Sequence, residues 1–298
     1  MTTTALDATQ PEAALATPSL ARRTLTVFAR NKLALTGALV LLGLLAFCFL
    51  GPLIHPTDQI HTDLTQASLA PGGAHPLGTT DLGYDLLGRL MYGGQTSLEV
   101  GLAAGLLATL FGTVYGAVAG YFGGWVDAAM MRVTDAALAI PALFLLVVVA
   151  AIVTPSKPVL ILIIASVAWL SPARLIRGEA LALRSRDYIH AMRLMGGGGG
   201  RAVFRHIVPN AIGTVIVNAT FQIADAILYV AYLSFLGLSI PPPAADWGSM
   251  LSAGITYTQV GYWWLIFPPG IAIVLVVAAF NFIGDGLRDA FDVRLTKN

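Results

Sequence analysis

The chain has few charges and a single thiol. Only 11% of its 298 residues are charged, and its one cysteine, Cys48, excludes an intrachain disulfide. Hydrophobic residues make up 56% of the sequence, and the mean hydropathy is +0.76. This apolar share exceeds that of soluble globular domains, so the bilayer is the expected solvent. The formal net charge of +1 gives no reason to expect a nucleic-acid partner.

The sequence also lacks the motifs of an energy-converting or catalytic centre. A phosphate-binding P-loop ends in Gly-Lys-Ser or Gly-Lys-Thr, and none of the lysines (Lys32, Lys157 and Lys297) follows a glycine. No arrangement of serine, cysteine and histidine indicates covalent catalysis. We therefore expect no enzyme activity and no cofactor in this chain. Energy for any transport has to come from a partner or from an ion gradient.

Long apolar stretches predict the fold. A hydrocarbon core about 30 Å thick takes roughly 20 helical residues, and six segments meet or approach that length. They cover approximately residues 33–54, 97–121, 134–153, 159–170, 211–236 and 263–284. The fourth is short, and we expect it to kink or to continue past the membrane surface at Ser171-Pro172. The sequence thus predicts an all-α integral membrane protein, with a six-transmembrane-helix domain over residues 33–298 after a cytoplasmic tail over residues 1–32.

The basic residues predict the orientation of these spans. With the N-terminus inside, all but two of the 17 lysines and arginines fall in cytoplasmic segments, and the exceptions are Arg89 and Lys157. Positive charge is enriched on the cytoplasmic side of membrane proteins. We therefore expect both termini in the cytoplasm and a location in the plasma or inner membrane.

The cytoplasmic loop over residues 171–210 has an unusual pattern. Apolar residues recur at helical spacing near its middle: Tyr188, Ile189, Met192 and Met195. Five glycines from Gly196 to Gly200 end that short helix, and Pro209 is expected to open the fifth span. Between them lies a second apolar face made of Val203, Phe204, Ile207 and Val208. These residues leave two interpretations open: a rigid element that passes motion from a partner to the membrane helices, or an amphipathic surface segment with a flexible linker.

A spaced motif in this loop resembles the coupling motif of ABC importer permeases. It consists of His190-Ala191-Met192, three residues, Gly196 and twelve residues to Pro209. The chain departs from the family pattern at His190, Met192 and His206. Further motifs follow in family order: HPLGTTDLG at 75–83, GYFGGWVD at 120–127, LSFLGL at 233–238 and NFIGDGLRD at 281–289. Over residues 75–295 the chain resembles the dipeptide, oligopeptide and nickel permease family, in particular its DppC/OppC-type subunit, although Tyr84 stands where an arginine is expected.

The resemblance implies partners and a division of labour. It implies a second permease subunit, an external substrate-binding protein, and two cytoplasmic ATPases or one fused ATPase that bind ATP and Mg²⁺. It also implies an ATPase-docking role for ten residues of the loop: Tyr188, His190, Ala191, Met192, Arg193, Gly196, Arg201, Arg205, His206 and Pro209. Peptides are the expected substrates. A nickel or other small-solute importer, an ion-coupled secondary transporter and a scaffold protein remain alternatives.

Four further features carry weaker hypotheses. Asp225 lies near the middle of a span, where a charge is costly, so it is a candidate contact in the substrate pathway or an interhelical hydrogen-bonding group. The spacing of His55, His61 and His75 does not favour a metal site. Trp247 is a candidate contact for the binding protein or a structural loop residue. Glycines at mostly four-residue steps predict a close helix-packing face in the second span: Gly101, Gly105, Gly112, Gly116 and Gly120.

Overall fold

The computed structural model describes residues 26–292, and over that range it contains helices and no strands. Four helices are long and apolar enough to cross a membrane. In the order of the chain they are α1 (Lys32–Ile54), α2 (Leu86–Phe122), α8 (Ile212–Phe235) and α10 (Phe267–Asp292). Most of the predicted N-terminal tail, as well as Arg294 and Lys297, lies outside the described residues. The described residues confirm the predicted all-helical membrane fold.

Two bent helix pairs supply the remaining spans. The helices α3 (Gly124–Leu138) and α4 (Ala142–Ile152) meet at 82°, and α5 (Lys157–Ala168) and α6 (Leu170–Arg184) meet at 45°. Counting each pair as one span gives the six that the sequence predicts. Pro141 stands at the first bend, where it lacks an N–H group and disfavours helical geometry in the residue before it. The segment 134–153, which was expected to be one helix, is therefore broken. The fourth span has the expected kink, and the kink lies at Trp169.

Helix α2 is the central element, and it is longer than predicted. Its 37 residues begin at Leu86 instead of near residue 97, because Asp85 caps it by accepting a hydrogen bond of 2.8 Å from the Gly88 N–H. It ends at Gly123, whose φ of 63° lies in the region that favours glycine. At about 1.5 Å per residue, α2 reaches from the predicted outer loops to the predicted cytoplasmic loop.

The predicted glycine face of α2 is confirmed. Gly101 and Gly105 lie against Ile227 and Ile223 of α8. The next three glycines of the face, Gly112, Gly116 and Gly120, lie against the backbone of α6 between Trp169 and Leu181. A Cβ atom at Gly112 would lie 2.6 Å from the Trp169 carbonyl oxygen, so no larger residue fits without moving the helices apart.

The outer loops are tied to the start of α2. His75 Nδ1 lies 2.8 Å from Asp85 Oδ2, and its Nε2 lies 2.6 Å from Gln66 Oε1. Arg89 donates to the Pro243 carbonyl oxygen at 2.8 Å and stacks on Tyr84, with 4.4 Å between the guanidinium carbon and the ring centroid. The only arginine in the predicted outer segments thus joins the first outer loop to the second.

Replacing Gly112 by alanine tests the close approach of α2 and α6. We expect the substitution to destabilise the purified protein by about 1–3 kcal/mol, because overpacking forces the two backbones apart. Gly43→Ala in α1 is the matched control, since a Cβ there meets no atom within 4 Å. The control should be neutral or stabilising by up to about 1 kcal/mol, since alanine favours helix more than glycine does. Thermal unfolding in detergent measures both, and equal midpoints for the two variants would contradict this packing.

Candidate functional site: the cytoplasmic coupling segment

The candidate site is the coupling segment, by which we mean residues 187–210. Its first helix, α7 (Asp187–Leu194), ends in a glycine turn. The Gly196 N–H donates to the Arg193 carbonyl oxygen at 2.9 Å, and the Gly197 N–H donates to the Met192 carbonyl oxygen at 3.0 Å. Gly196 has a φ of 78°, which residues with a side chain adopt only under strain. Glycine is therefore needed at position 196 for its backbone conformation.

The second half of the segment contains a π-helical turn. It runs through a short helix (Gly199–Ala202), the π turn (Val203–Ile207) and a last turn (Val208–Asn210). The Val208 N–H bonds to the Val203 carbonyl oxygen across five residues. This wider turn accommodates Pro209, which lacks an N–H group and would clash with a carbonyl in a regular helix. Pro209 lies in the first positions of the last turn, and α8 follows at Ile212 after Ala211.

The coupling segment is packed against the membrane helices. A buried cluster joins five of its residues to the ends of α2 and α6, and its members are Ile189, Met192, Ala202, Val203 and Ile207 with Ala117, Tyr121, Ile176 and Ala180. Ile189 and Ile207 are fully buried, and each such side chain contributes about 1.5–3 kcal/mol. This packing favours the rigid element over the flexible linker.

The opposite face of the segment is exposed and largely apolar. Leu194 and Met195 are 90% and 81% exposed, and Phe204 is 61% exposed. His190, Ala191, Arg201 and Arg205 are exposed as well. Helical spacing grouped Met195 with Ile189 and Met192, and Phe204 with Val203 and Ile207. In the structure Met195 and Phe204 lie outside the buried cluster, and α7 ends at Leu194.

Three predicted docking residues contact other side chains of this chain. The Arg193 guanidinium lies over the Tyr121 ring, 4.8 Å from its centroid, and its Nε donates to the Tyr121 hydroxyl oxygen at 3.3 Å. The rings of Tyr188 and His206 lie 6.2 Å apart and bridge the two halves of the segment. Arg193 thus connects α7 directly to the cytoplasmic end of α2.

Sequence reasoning missed the ion pairs that fix α6, on which the segment rests. Arg177 binds Asp127 in a bidentate pair, with Nε and one terminal nitrogen 2.5 Å and 2.7 Å from the two carboxylate oxygens. Arg174 donates to Asp135 at 2.5 Å, so both pairs join α6 to α3. Asp127 belongs to the motif at 120–127, but its partner lies 50 residues away. A single sequence carries no signal for that pairing.

The two ion pairs differ in burial, and this allows a matched test. Asp127→Asn should destabilise the protein by about 1.5–3 kcal/mol, because a mostly buried charged hydrogen-bonding group loses its charge. Asp135→Asn is the control, since both members of its pair are half exposed and such pairs contribute about 0–1 kcal/mol.

A double-mutant cycle completes this test. If the pair acts as a unit, Asp127→Asn combined with Arg177→Gln costs less than the sum of the single changes, as measured by thermal unfolding in detergent. Additive losses, or equal losses from the Asp127 and Asp135 variants, would show that the bidentate pair does not fix α6.

Asp225 lies beside a cleft of about 150 Å³, away from the coupling segment. It is exposed on the surface of the isolated chain, and within residues 26–292 it forms no hydrogen bond and no ion pair. The cleft lies at both helix breaks, near Pro141 and Leu170. This placement is compatible with the pathway interpretation and gives no support to an interhelical hydrogen bond within this chain.

The structure also shows the surroundings of Trp247 in the second outer loop. Trp247 is fully buried, and its indole Nε1 donates to the Leu90 carbonyl oxygen at 3.0 Å. The idea that it contacts a binding protein was wrong, because no part of the ring is accessible.

His55 and His75 both contact Asp85, whereas His61 pairs with Asp58. Among the described residues, no group of three or more histidine, cysteine or acidic side chains is placed to hold a metal ion.

Comparisons with known proteins identify the family. The family model "binding-protein-dependent transport system inner membrane component" matches residues 112–297, and the model "N-terminal TM domain of oligopeptide transport permease C" matches residues 19–71. The chain therefore belongs to the inner membrane components of binding-protein-dependent transport systems. It is a multi-pass membrane permease subunit, which confirms the resemblance seen in its motifs.

Several relatives match over most of their length. The chain is 42% identical over 274 residues to a putative peptide permease protein of Brucella suis biovar 1, covering 91% of this chain and 90% of that protein. It is 40% identical to the oligopeptide transport system permease protein OppC of Escherichia coli K12, covering 89% and 88%. It is 36% identical to the dipeptide transport system permease protein DppC of Bacillus subtilis 168, covering 90% and 84%.

Proposed function

We propose that this subunit forms half of the translocation pathway of an ATP-driven peptide importer. The names of its relatives, which describe peptide, oligopeptide and dipeptide permeases, support the substrate class. The proposed assembly contains a second permease subunit, an extracytoplasmic binding protein, and two P-loop ATPases or one fused ATPase. ATP and Mg²⁺ bind to the ATPases, and this chain is not catalytic.

The coupling segment is the observation that carries the proposal. One of its faces is fixed to α2 and α6 by a buried cluster, and the other presents Leu194, Met195 and Phe204 to solvent. An exposed patch of large apolar side chains on a rigid element is typical of a protein interaction site. Arg201 and Arg205 add positive charge to this face and suit a partner with an acidic rim.

The proposed orientation places this face in the cytoplasm. Seven arginines lie between Arg174 and Arg205, which favours an inside location of the loop and of both termini. ATPases that consume cytoplasmic ATP can reach the segment only from that side.

The energetics favour a rigid connection. Moving a gate from 1:99 to 99:1 requires about 5.5 kcal/mol of differential binding. ATP-driven closure of the partner subunits supplies this energy to the gate only if the docked segment keeps its conformation. Two contacts hold the segment in place: the buried cluster around Ile189, and the contact of Arg193 with Tyr121. Both connect the segment to α2, which continues to the outer loops.

Substitutions at Gly196 test the coupling role. We expect Gly196→Leu to reduce ATP-driven peptide uptake at least about tenfold. The left-handed conformation costs a branched residue of the order of 1–3 kcal/mol. The strained turn would then move Leu194 away from its docking position. Gly196→Asn should retain more uptake, since asparagine tolerates positive φ. Gly200→Ala is the control, because φ there is not positive and a Cβ meets no atom within 4 Å.

Proteoliposomes that contain the complete transporter and the binding protein provide the measurement. Each variant is compared for the amount of chain in the membrane, ATP hydrolysis and peptide uptake, with ionophores added to remove ion gradients. Full uptake by Gly196→Leu would refute the coupling role. Uptake that requires an ion gradient and not ATP would refute the proposed energy source.

A further inference from the structure

The cleft beside Asp225 is a candidate site for cargo. Its lining comes from the end of α3, the start of α4, the break between α5 and α6, and the middle of α8. Both chain breaks, bent by 82° and 45°, therefore meet at one place. Broken helices at membrane depth are tolerated where the irregular backbone is buried in protein or lines a water-filled cavity. In secondary transporters, interrupted helices commonly form the sites for polar cargo.

The cleft has a defined charge. Asp225 is the only acidic or basic residue in its lining, and the other side chains with hydrogen-bonding groups are Ser171, Gln222 and Tyr229. The Gln222 side chain is anchored, because its Nε2 donates to the Ala168 carbonyl oxygen at 2.5 Å. The C-terminus of α3 and the N-terminus of α4 bring partial charges of opposite sign to the same bend, so the carboxylate of Asp225 decides the sign.

The carboxylate has no partner among the described residues, and its surroundings do not suit lipid. A carboxylate that faces hydrocarbon is unfavourable. A cation or water in the cleft of the assembled transporter would offset that cost. The cleft is large enough for a primary ammonium group with a few attached atoms, and the Tyr229 and Ser171 hydroxyl oxygens are further acceptors for it.

We propose that Asp225, with Tyr229 and Ser171, forms a subsite that binds the primary ammonium group of a peptide as it passes through the permease. This inference rests on the proposed function for the identity of the cargo, whereas the cation preference of the cleft does not depend on it. Asp225 holds the charge, and the two hydroxyl groups orient the N–H donors. Gln222 fixes the floor of the cleft by its bond to Ala168.

A thiol probe at the cleft tests its cation preference directly. The background is the complete transporter in proteoliposomes with Cys48→Ala, which removes the only cysteine of this chain, and with the partner subunits freed of reactive thiols. Ala142→Cys, at a lining position outside the proposed subsite, then places a thiol in the cleft. Its rates of modification by aminoethyl methanethiosulfonate, which carries a primary ammonium group, and by the anionic sulfonatoethyl reagent are compared with and without Asp225→Asn.

We expect the ratio of cationic to anionic rates at the Ala142→Cys thiol to fall about tenfold in Asp225→Asn, since a nearby carboxylate attracts the cationic reagent and repels the anionic one. Ser185→Cys, on the exposed turn after α6, is the control, and its ratio should not change with Asp225→Asn. An unchanged ratio at the cleft thiol, or no modification there at all, overturns the proposal, because the site then lacks cation preference or is sealed by another chain.

Protection by the cargo links the subsite to transport. During ATP-driven uptake, a dipeptide with a free amino terminus should slow the modification of the cleft thiol severalfold, and Asp225→Asn should abolish the slowing. A cation-selective cleft without protection would overturn its role in peptide passage. Absence of ATP-driven uptake by the protein with native Asp225 would instead refute the proposed function, and the two reagent rates would still report on the cleft.

Discussion

The close approach of α2 to α6 and α8 is the constraint on which the other contacts depend. Glycines along one face of α2 bring its backbone against both neighbours, with no side chain between them. In a bilayer the helices gain little from hiding apolar surface from water, so contact between backbones and side chains has to provide their association. The position of α6 follows from that contact. The coupling segment, which rests on α6 and on the end of α2, follows in turn.

Polar contacts then fix the orientation of neighbouring helices, which packing alone does not determine. The bidentate pair of Arg177 and Asp127 holds α6 to α3, and Arg193 ties α7 to Tyr121. At the other end of α2, Asp85 caps the helix and receives His55 and His75, while Arg89 reaches the second outer loop. A single long helix is therefore anchored to the loops before it at one end and to the coupling segment at the other.

The sequence predicted the features that are local and missed those that are not. Spans α1 and α8 follow from uninterrupted apolar runs, and the glycine face of α2 follows from four-residue spacing, because both patterns repeat along one helix. The 82° bend at Pro141 was missed because average hydropathy does not register a change of direction. The early start of α2 depends on the Asp85 cap, and the burial of Trp247 depends on contacts with Leu90 and Ser97. None of these contacts can be predicted from hydropathy.

Within the coupling segment, the glycine turn at Gly196 was predicted from composition, but the exposed face was not. Helical spacing alone placed Met195 beside Ile189 and Met192, whereas the helix stops one residue earlier. The π turn over Val203–Ile207 moved Phe204 to the outside for a related reason, since five-residue hydrogen bonds change the register. The exposed apolar residues Met195 and Phe204 were therefore the ones that helical spacing misassigned.

Site-specific crosslinking from the exposed face of the coupling segment tests the central claim most directly. A photoreactive amino acid at Leu194 would be irradiated in native membranes, with the same group at Gly178 of α6, another exposed and unobstructed position, for comparison. The account predicts a strong adduct from position 194 to a subunit that contains a P-loop and hydrolyses ATP, with a much weaker one from position 178. Adducts from position 194 to lipid alone, or to no ATPase in membranes that take up peptide, would contradict it.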